Sequence, residues 1–198
     1  MFGGAYDHAP ADLRPKYGSL NHRRRPFGGS IRFGSAHFRL AQHVLSRTTF
    51  CYPDSVFEPS AFGNINRMPL IPIAESDDRD LLDDYIEAHV HGPLHIESDA
   101  DALVLDPVYR DTDVEAWAAA LPVATEWHHG FRLHVDELAR HPGYRGQRVV
   151  DAGCPIAAHG WLDAQIIGEA ARSGILDEQT LKRIWHCTAR YGHPEWAE

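Results

Sequence analysis

Residues 85–107 read YIEAHVHGPLHIESDADALVLDP. Apolar positions alternate with polar ones in the first part, a compact apolar run ends at Pro107, and Gly92-Pro93 stands between them. This predicts two successive strands of a sheet core. Side chains alternate across a strand with period two, so Glu87, His89 and His91 share one face while Ala88 and Val90 turn inward. Upstream, IRFGSAHFRL (31–40) and HVLSRTTFCY (43–52) carry the Val, Ile, Thr, Phe and Tyr enrichment of two more strands with a short turn between them. The segment PDSVFEPSAFGNINRMPLIPI (53–73), punctuated by Pro, Gly and Asn, reads as a long irregular loop of the kind that often carries function. The acidic run ESDDRDLLDDY (75–85) reads as a solvated helix or loop leading into the first strand.

From about residue 113 the apolar period lengthens. DVEAWAAALP, FRLHVDELARHP, HGWLDAQIIGEAARSG and LDEQTLKRIWHCTARYG read as helices, with Gly174 ending one, Asp177 capping the next and Gly192 ending that. Leu181, Ile184 and Trp185 are spaced to face a core. The expected fold class is α+β: a mostly antiparallel split sheet within residues 1–110, then a helical region, 111–198, packed on it as one structural domain.

The chain has 198 residues, 43% apolar and 24% charged, enough for one domain with a core. A formal net charge of −9 disfavours a general polyanion binder and leaves only local patches such as Arg23–Arg25 for phosphate. Cys51, Cys154 and Cys187 lie far apart with no C-x-x-C pair, which implies reduced thiols and no thiolate zinc framework. MFGGAYDHAP lacks the basic start and apolar run of a signal peptide, and no window approaches the roughly twenty apolar residues of a membrane helix. The expected location is cytoplasmic, or outside the cell by a specialised secretion system, with no membrane partner.

A Glu-x-His-x-His face admits two chemistries. His89 and His91 could reach one metal ion, but Glu87 and His91 are separated by roughly 13 Å along a strand, so all three cannot. A metal-dependent hydrolase would need further ligands, such as His128, His129 or Asp106. Alternatively Glu87 acts as a single catalytic carboxylate, binding a ribose hydroxyl and stabilising positive charge at an anomeric carbon, with His89 and His91 shaping its site. Thr48 and Thr49 also suit a strand on propensity alone, and Asp54-Ser55 also suits a turn.

RPKYGSLN, GGSIRFGSAHFRL, VLSRTTFCYPDS, YIEAHVHGPLHI with ALVLDP, and LKRIWHCTARYG, in this order, together resemble an uncharacterised bacterial family, a domain of unknown function. More distantly, residues 85–107 are similar to the closing segment of toxin-type ADP-ribosyltransferases. In that superfamily a first strand carries Arg or His, a second a Ser/Thr motif and a third the catalytic Glu. The resemblance implies NAD as substrate, with no metal expected, and an acceptor that is a protein or nucleic acid. It also implies a bacterial toxin role with an immunity protein as partner. Glu87, His89 and His91 would be catalytic, while Arg14, Tyr17, Gly18, Arg32, Thr48, Thr49 and Ser55 would bind NAD. Members of the resembling family extend further toward the N-terminus, which keeps a shortened, non-catalytic interaction domain as a third reading.

Overall fold

The Tyr85–Val90 run does form a strand, β5 (Ile86–Val90), and the computed structural model, which describes residues 3–196, buries all five of its residues. The outer ends of the two expected regions, residues 1–2 and 197–198, lie outside the described residues. Burial on both faces requires paired neighbours, because unpaired backbone groups away from water are costly. β1 (Lys16–Leu20) and β3 (Thr48–Tyr52) supply them, both antiparallel to β5, and β4 (Ala61–Asn64) continues the sheet in the order β1-β5-β3-β4. Ile86 and Ala88 face one side with Phe50 and Tyr52, packed on Leu70 and Ala74 of α1 (Leu70–Ser76). Glu87 and His89 face the other. The expected alternation holds, although neither face of β5 is open.

The 53–73 segment is more ordered than its composition predicts, because it contains β4 and the start of α1. Its Asn and Asp residues mark tight turns between short elements. Asn64 Oδ1 accepts from the N–H groups of Asn66 and Arg67 at 3.0 and 3.1 Å, and Asp54 accepts from Val56 N–H at 2.8 Å. The 31–52 reading also needs correction. Ile31–Phe33 and Gln42–Arg47 are 3-10 turns, and strand appears only at β2 (His37–Leu40) and β3.

β5 and the next strand, β6 (Ala100–Leu105), do not pair with each other as successive strands of one sheet. A one-turn helix, α2 (Ile96–Asp99), carries the chain to a second sheet of order β2-β6-β7, with β7 at Ala124–Trp127. Arg47 holds this crossing, donating to the carbonyls of His91 (2.8 Å) and Pro93 (2.6 Å) and to Asp99 (2.9 Å). β2 and β6 are antiparallel, while β6 and β7 are parallel and joined through α3 (Asp113–Ala119).

The remaining chain is mainly helical: α4 (Val135–Leu138), α5 (Pro142–Arg145), α6 (Gln147–Ile156), α7 (Ala164–Ser173) and α8 (Glu178–Tyr191), with a short pair β8 (Leu133–His134) and β9 (Trp161–Leu162). Asp177 caps α8 through Thr180 N–H at 2.9 Å, and Gly174 ends α7 at φ +66°. Gly192 is required by space, since a Cβ there would meet the Thr188 carbonyl oxygen at 2.6 Å. Leu181, Ile184 and Trp185 are buried in a core that also takes in Phe27, Ile31 and Leu82, and the Trp185 indole donates to the Ile31 carbonyl at 2.9 Å. The helical half thus shares its core with the N-terminal half. The molecule is α+β with mostly antiparallel sheets.

Candidate functional site

Strand register builds the site. Glu87 lies opposite Ser19 of β1 and Cys51 of β3, and His89 lies opposite Tyr17 and Thr49. β4 adds Phe62 opposite Cys51 and Asn64 opposite Thr49. Because paired residues share a face, one side of the sheet gathers Tyr17, Ser19, Glu87, His89, Thr49, Cys51, Phe62 and Asn64. Thr49, Phe62, Asn64, His89 and the Arg67 side of the following turn line a cleft of about 410 Å³.

At the centre, Glu87 is only 5% exposed and His89 1%. Glu87 Oε1 meets His89 Nε2 at 2.5 Å, and Glu87 Oε2 accepts from both the backbone N–H and the hydroxyl of Ser55 at 3.2 Å. The carboxylate is therefore fixed at both oxygens. Tyr17 presents its ring edge-on to His89 at 5.1 Å between centroids while remaining 65% exposed.

A second carboxylate stands beside it. Asp54 is buried and accepts from the Tyr85 hydroxyl and Val56 N–H. Burial works against its ionisation, but those hydrogen bonds, with a further one shared with Glu87 and the positive charge of Arg32, hold its pKa below the usual carboxylate range. The negative field shows in the neighbours: burial, then Glu87 and Asp54, push the Cys51 thiol up to about 12, and burial, then Glu87, Cys51 and Asp54, raise Tyr17. Cys51 in this setting is a poor nucleophile.

Two segments of the chain, residues 1–75 and 66–191, match the family described as "Protein of unknown function (DUF3626)". The chain belongs to that family. A comparison with curated proteins returns no match.

In this DUF3626 member the residues expected from the sequence divide cleanly. Glu87, His89, Tyr17, Thr49 and Ser55 come together on one face. His91 joins their edge, its Nε2 2.8 Å from Thr49 Oγ1 and its Nδ1 2.7 Å from the Tyr6 hydroxyl, and burial followed by the charge of His89 lowers its pKa. Thr48 does not join them. It pairs with Val90 on the opposite face and donates its hydroxyl to the Val44 carbonyl at 2.8 Å. Gly18, opposite Ala88, belongs to that face as well. Arg14 is exposed and donates to the Ala9 carbonyl at 3.0 Å, while Arg32 is ion-paired with Asp83 and touches the site only through its field.

His128, His129 and Asp106 do not gather around His89. His128 accepts from Gly130 N–H at Nδ1 and so carries its proton on Nε2, which donates to the Ser35 carbonyl at 2.7 Å. Asp106 caps the turn after β6 through Val108 N–H at 3.1 Å, and His129 is exposed. The group of metal-ligating type around His89 is instead Cys51, Glu87 and His89, whose ligand atoms all lie within 4.8 Å of one another. Cys51 has a sequence signal, since it alternates with Thr49. Asp54, Tyr85, Asn64 and Arg67 carry none beyond turn and strand propensity. Among the described residues, no helix is long and apolar enough to cross a membrane.

Proposed function

We propose that the chain cleaves the N-glycosidic bond of NAD at Glu87 and passes ADP-ribose to a protein or nucleic-acid acceptor, or to water. The observation that carries the reading is the fixed Glu87 carboxylate, held by His89 and Ser55 on the cleft face of a sheet whose neighbouring strands supply Tyr17 and Thr49. A Ser/Thr strand beside the Glu strand is what the resemblance drawn from residues 85–107 implies, whereas the other neighbour, β1, carries Tyr17 in place of an Arg or His, with Arg14 ahead of it.

The chemistry follows from charge. The pyridinium of NAD is cationic, and as the bond to the ribose breaks its electron pair returns to nicotinamide while positive charge moves to the anomeric carbon. A fixed carboxylate with a second one beside it stabilises charge that develops there without reorganising. The exposed Tyr17 ring offers a flat surface for the departing base. The acceptor oxygen or nitrogen then bonds to the anomeric carbon, and its proton passes to the Glu87–His89 pair. A toxin role, delivery by a specialised secretion system and neutralisation by an immunity protein are extensions of this reading.

Nicotinamide release from NAD by the purified chain tests it. Wild-type turnover should fall on the order of a hundredfold or more in Glu87→Gln, which keeps the shape and removes the charge. No release by wild type across candidate acceptors, in a folded sample, would overturn the reading.

A further inference from the structure

The same face carries a second capacity that does not depend on NAD chemistry. We infer that Cys51, Glu87 and His89 form a binding site for one divalent transition-metal ion of the zinc type. The three residues offer a thiol sulfur, a carboxylate oxygen and an imidazole nitrogen, all buried, with ligand atoms within 4.8 Å of one another. Ligands of tetrahedral zinc at about 2.0–2.3 Å from the metal stand roughly 3.3–3.8 Å apart, so changes within side-chain rotation close the set. The backbone already fixes the arrangement: Cys51 and Glu87 are direct cross-strand partners, and His89 is the next residue on that face.

The surroundings of the ligand set are acidic. Asp54 and Glu87 are both buried, and Ser55, next to Asp54 in the chain, donates to Glu87. Among the described residues neither carboxylate pairs with a lysine or arginine, and Glu87 is paired with His89, whose imidazole carries charge only when protonated. A divalent ion held by Cys51, Glu87 and His89 would bring positive charge to these buried carboxyl groups. The sulfur and imidazole select a borderline-soft ion over calcium or magnesium, which prefer oxygen. The cleft lined by Thr49 and Asn64 reaches His89 of this set.

Binding replaces the Cys51 S–H proton with a metal–sulfur bond, releasing that proton, and separates Glu87 Oε1 from His89 Nε2, now 2.5 Å apart. An ion seated here takes the carboxylate that the NAD reaction needs. Zinc should therefore inhibit that reaction, although the site stands whether or not NAD is the substrate.

Cobalt(II), added in equivalents to chelator-treated protein, supplies the test. The expected result is saturation at one equivalent, with a near-ultraviolet thiolate-to-cobalt band and intense visible bands of tetrahedral cobalt, both lost on adding zinc. Cys51→Ser should abolish the thiolate band, whereas Cys154→Ser should keep it, since Cys154 is an exposed cysteine elsewhere. His89→Gln should weaken binding at least tenfold while the band survives, which covers the case in which the Cys51 variant fails to fold. Absence of the band in wild type, its persistence in folded Cys51→Ser, or unchanged affinity in His89→Gln would each overturn the assignment. Failure of nicotinamide release alone would leave it standing.

Discussion

At the scale of single residues, the proposed NAD reaction makes Arg67 the candidate partner of the diphosphate. Among its lining residues Arg67 carries the permanent positive charge, and it sits with Asn64 at the end of β4, on the side of the cleft away from β1. Arg14 and Arg32, the cations expected from the sequence, are engaged with Ala9 and Asp83. A charge-assisted contact to a phosphate contributes about 1.5–3 kcal/mol, so Arg67→Gln should raise the KM for NAD by roughly tenfold or more with kcat little changed. Nicotinamide riboside, which lacks the diphosphate, should be processed equally by both proteins, and equal sensitivity of the two substrates would remove Arg67 from this role. The sequence made Glu87 and His89 legible because a carboxylate and an imidazole at period two on an otherwise apolar strand need an explanation. It could not make Asp54 or Tyr85 legible. Their roles arise from a contact between a turn and a strand far apart in the chain, and each residue type is ordinary where it stands.

At the scale of elements, the face that carries the candidate site is held by the opposite face. Phe50 is 1% exposed and packs with Ile86, Ala88 and Leu70, so it fixes the β3–β5 register that sets Cys51 and Thr49 beside Glu87 and His89. Phe50→Ala should cost about 3–5 kcal/mol in urea unfolding and reduce both nicotinamide release and cobalt affinity, although Phe50 belongs to the opposite face. Asp177→Ala removes the cap of α8 and should cost about 1 kcal/mol while leaving both site readouts unchanged. The end of α7 and both ends of α8 were readable because capping chemistry is local, at Gly174, Asp177 and Gly192, whereas the expected helix began at His159, ahead of β9 and the Asp163 cap of α7. β4 and the division of β5 and β6 between two sheets were not. A four-residue strand among Pro, Gly and Asn looks like a loop, and Gly92-Pro93 marks a reversal without stating whether the strands it separates pair. The deciding contact, Arg47 with the His91 and Pro93 carbonyls and Asp99, joins distant residues.

At the scale of the whole molecule, an acidic chain with 14 histidines buries several of them without charge. Burial above all lowers His37 and His186 to about 4, and also lowers His128 and His193. Both ring nitrogens of His186 are buried with no hydrogen-bond partner among the described residues. In the unfolded chain each imidazole protonates near 6.5, whereas in the folded chain it protonates lower, so between those values the unfolded state binds more protons and gains. Their contribution is therefore fully present above about pH 6.5 and is lost as pH falls toward 4. Asp106 works in the opposite sense, because burial raises its pKa and folding then favours its protonated form at low pH. Asp54, Asp80 and Asp99 have depressed values, Asp99 to about 2 chiefly through the His95 N–H, and their stabilisation is lost only below the unfolded carboxylate range near 3.8. The histidine and carboxylate windows are thus separate. Urea unfolding followed by tryptophan fluorescence at pH 7.5, 5.5 and 4.5 should show stability falling by a few kcal/mol across the first window. His186→Gln should flatten that slope, and a profile level from pH 7.5 to 4.5 would mean that these imidazoles are reached by water and protonate in the folded chain.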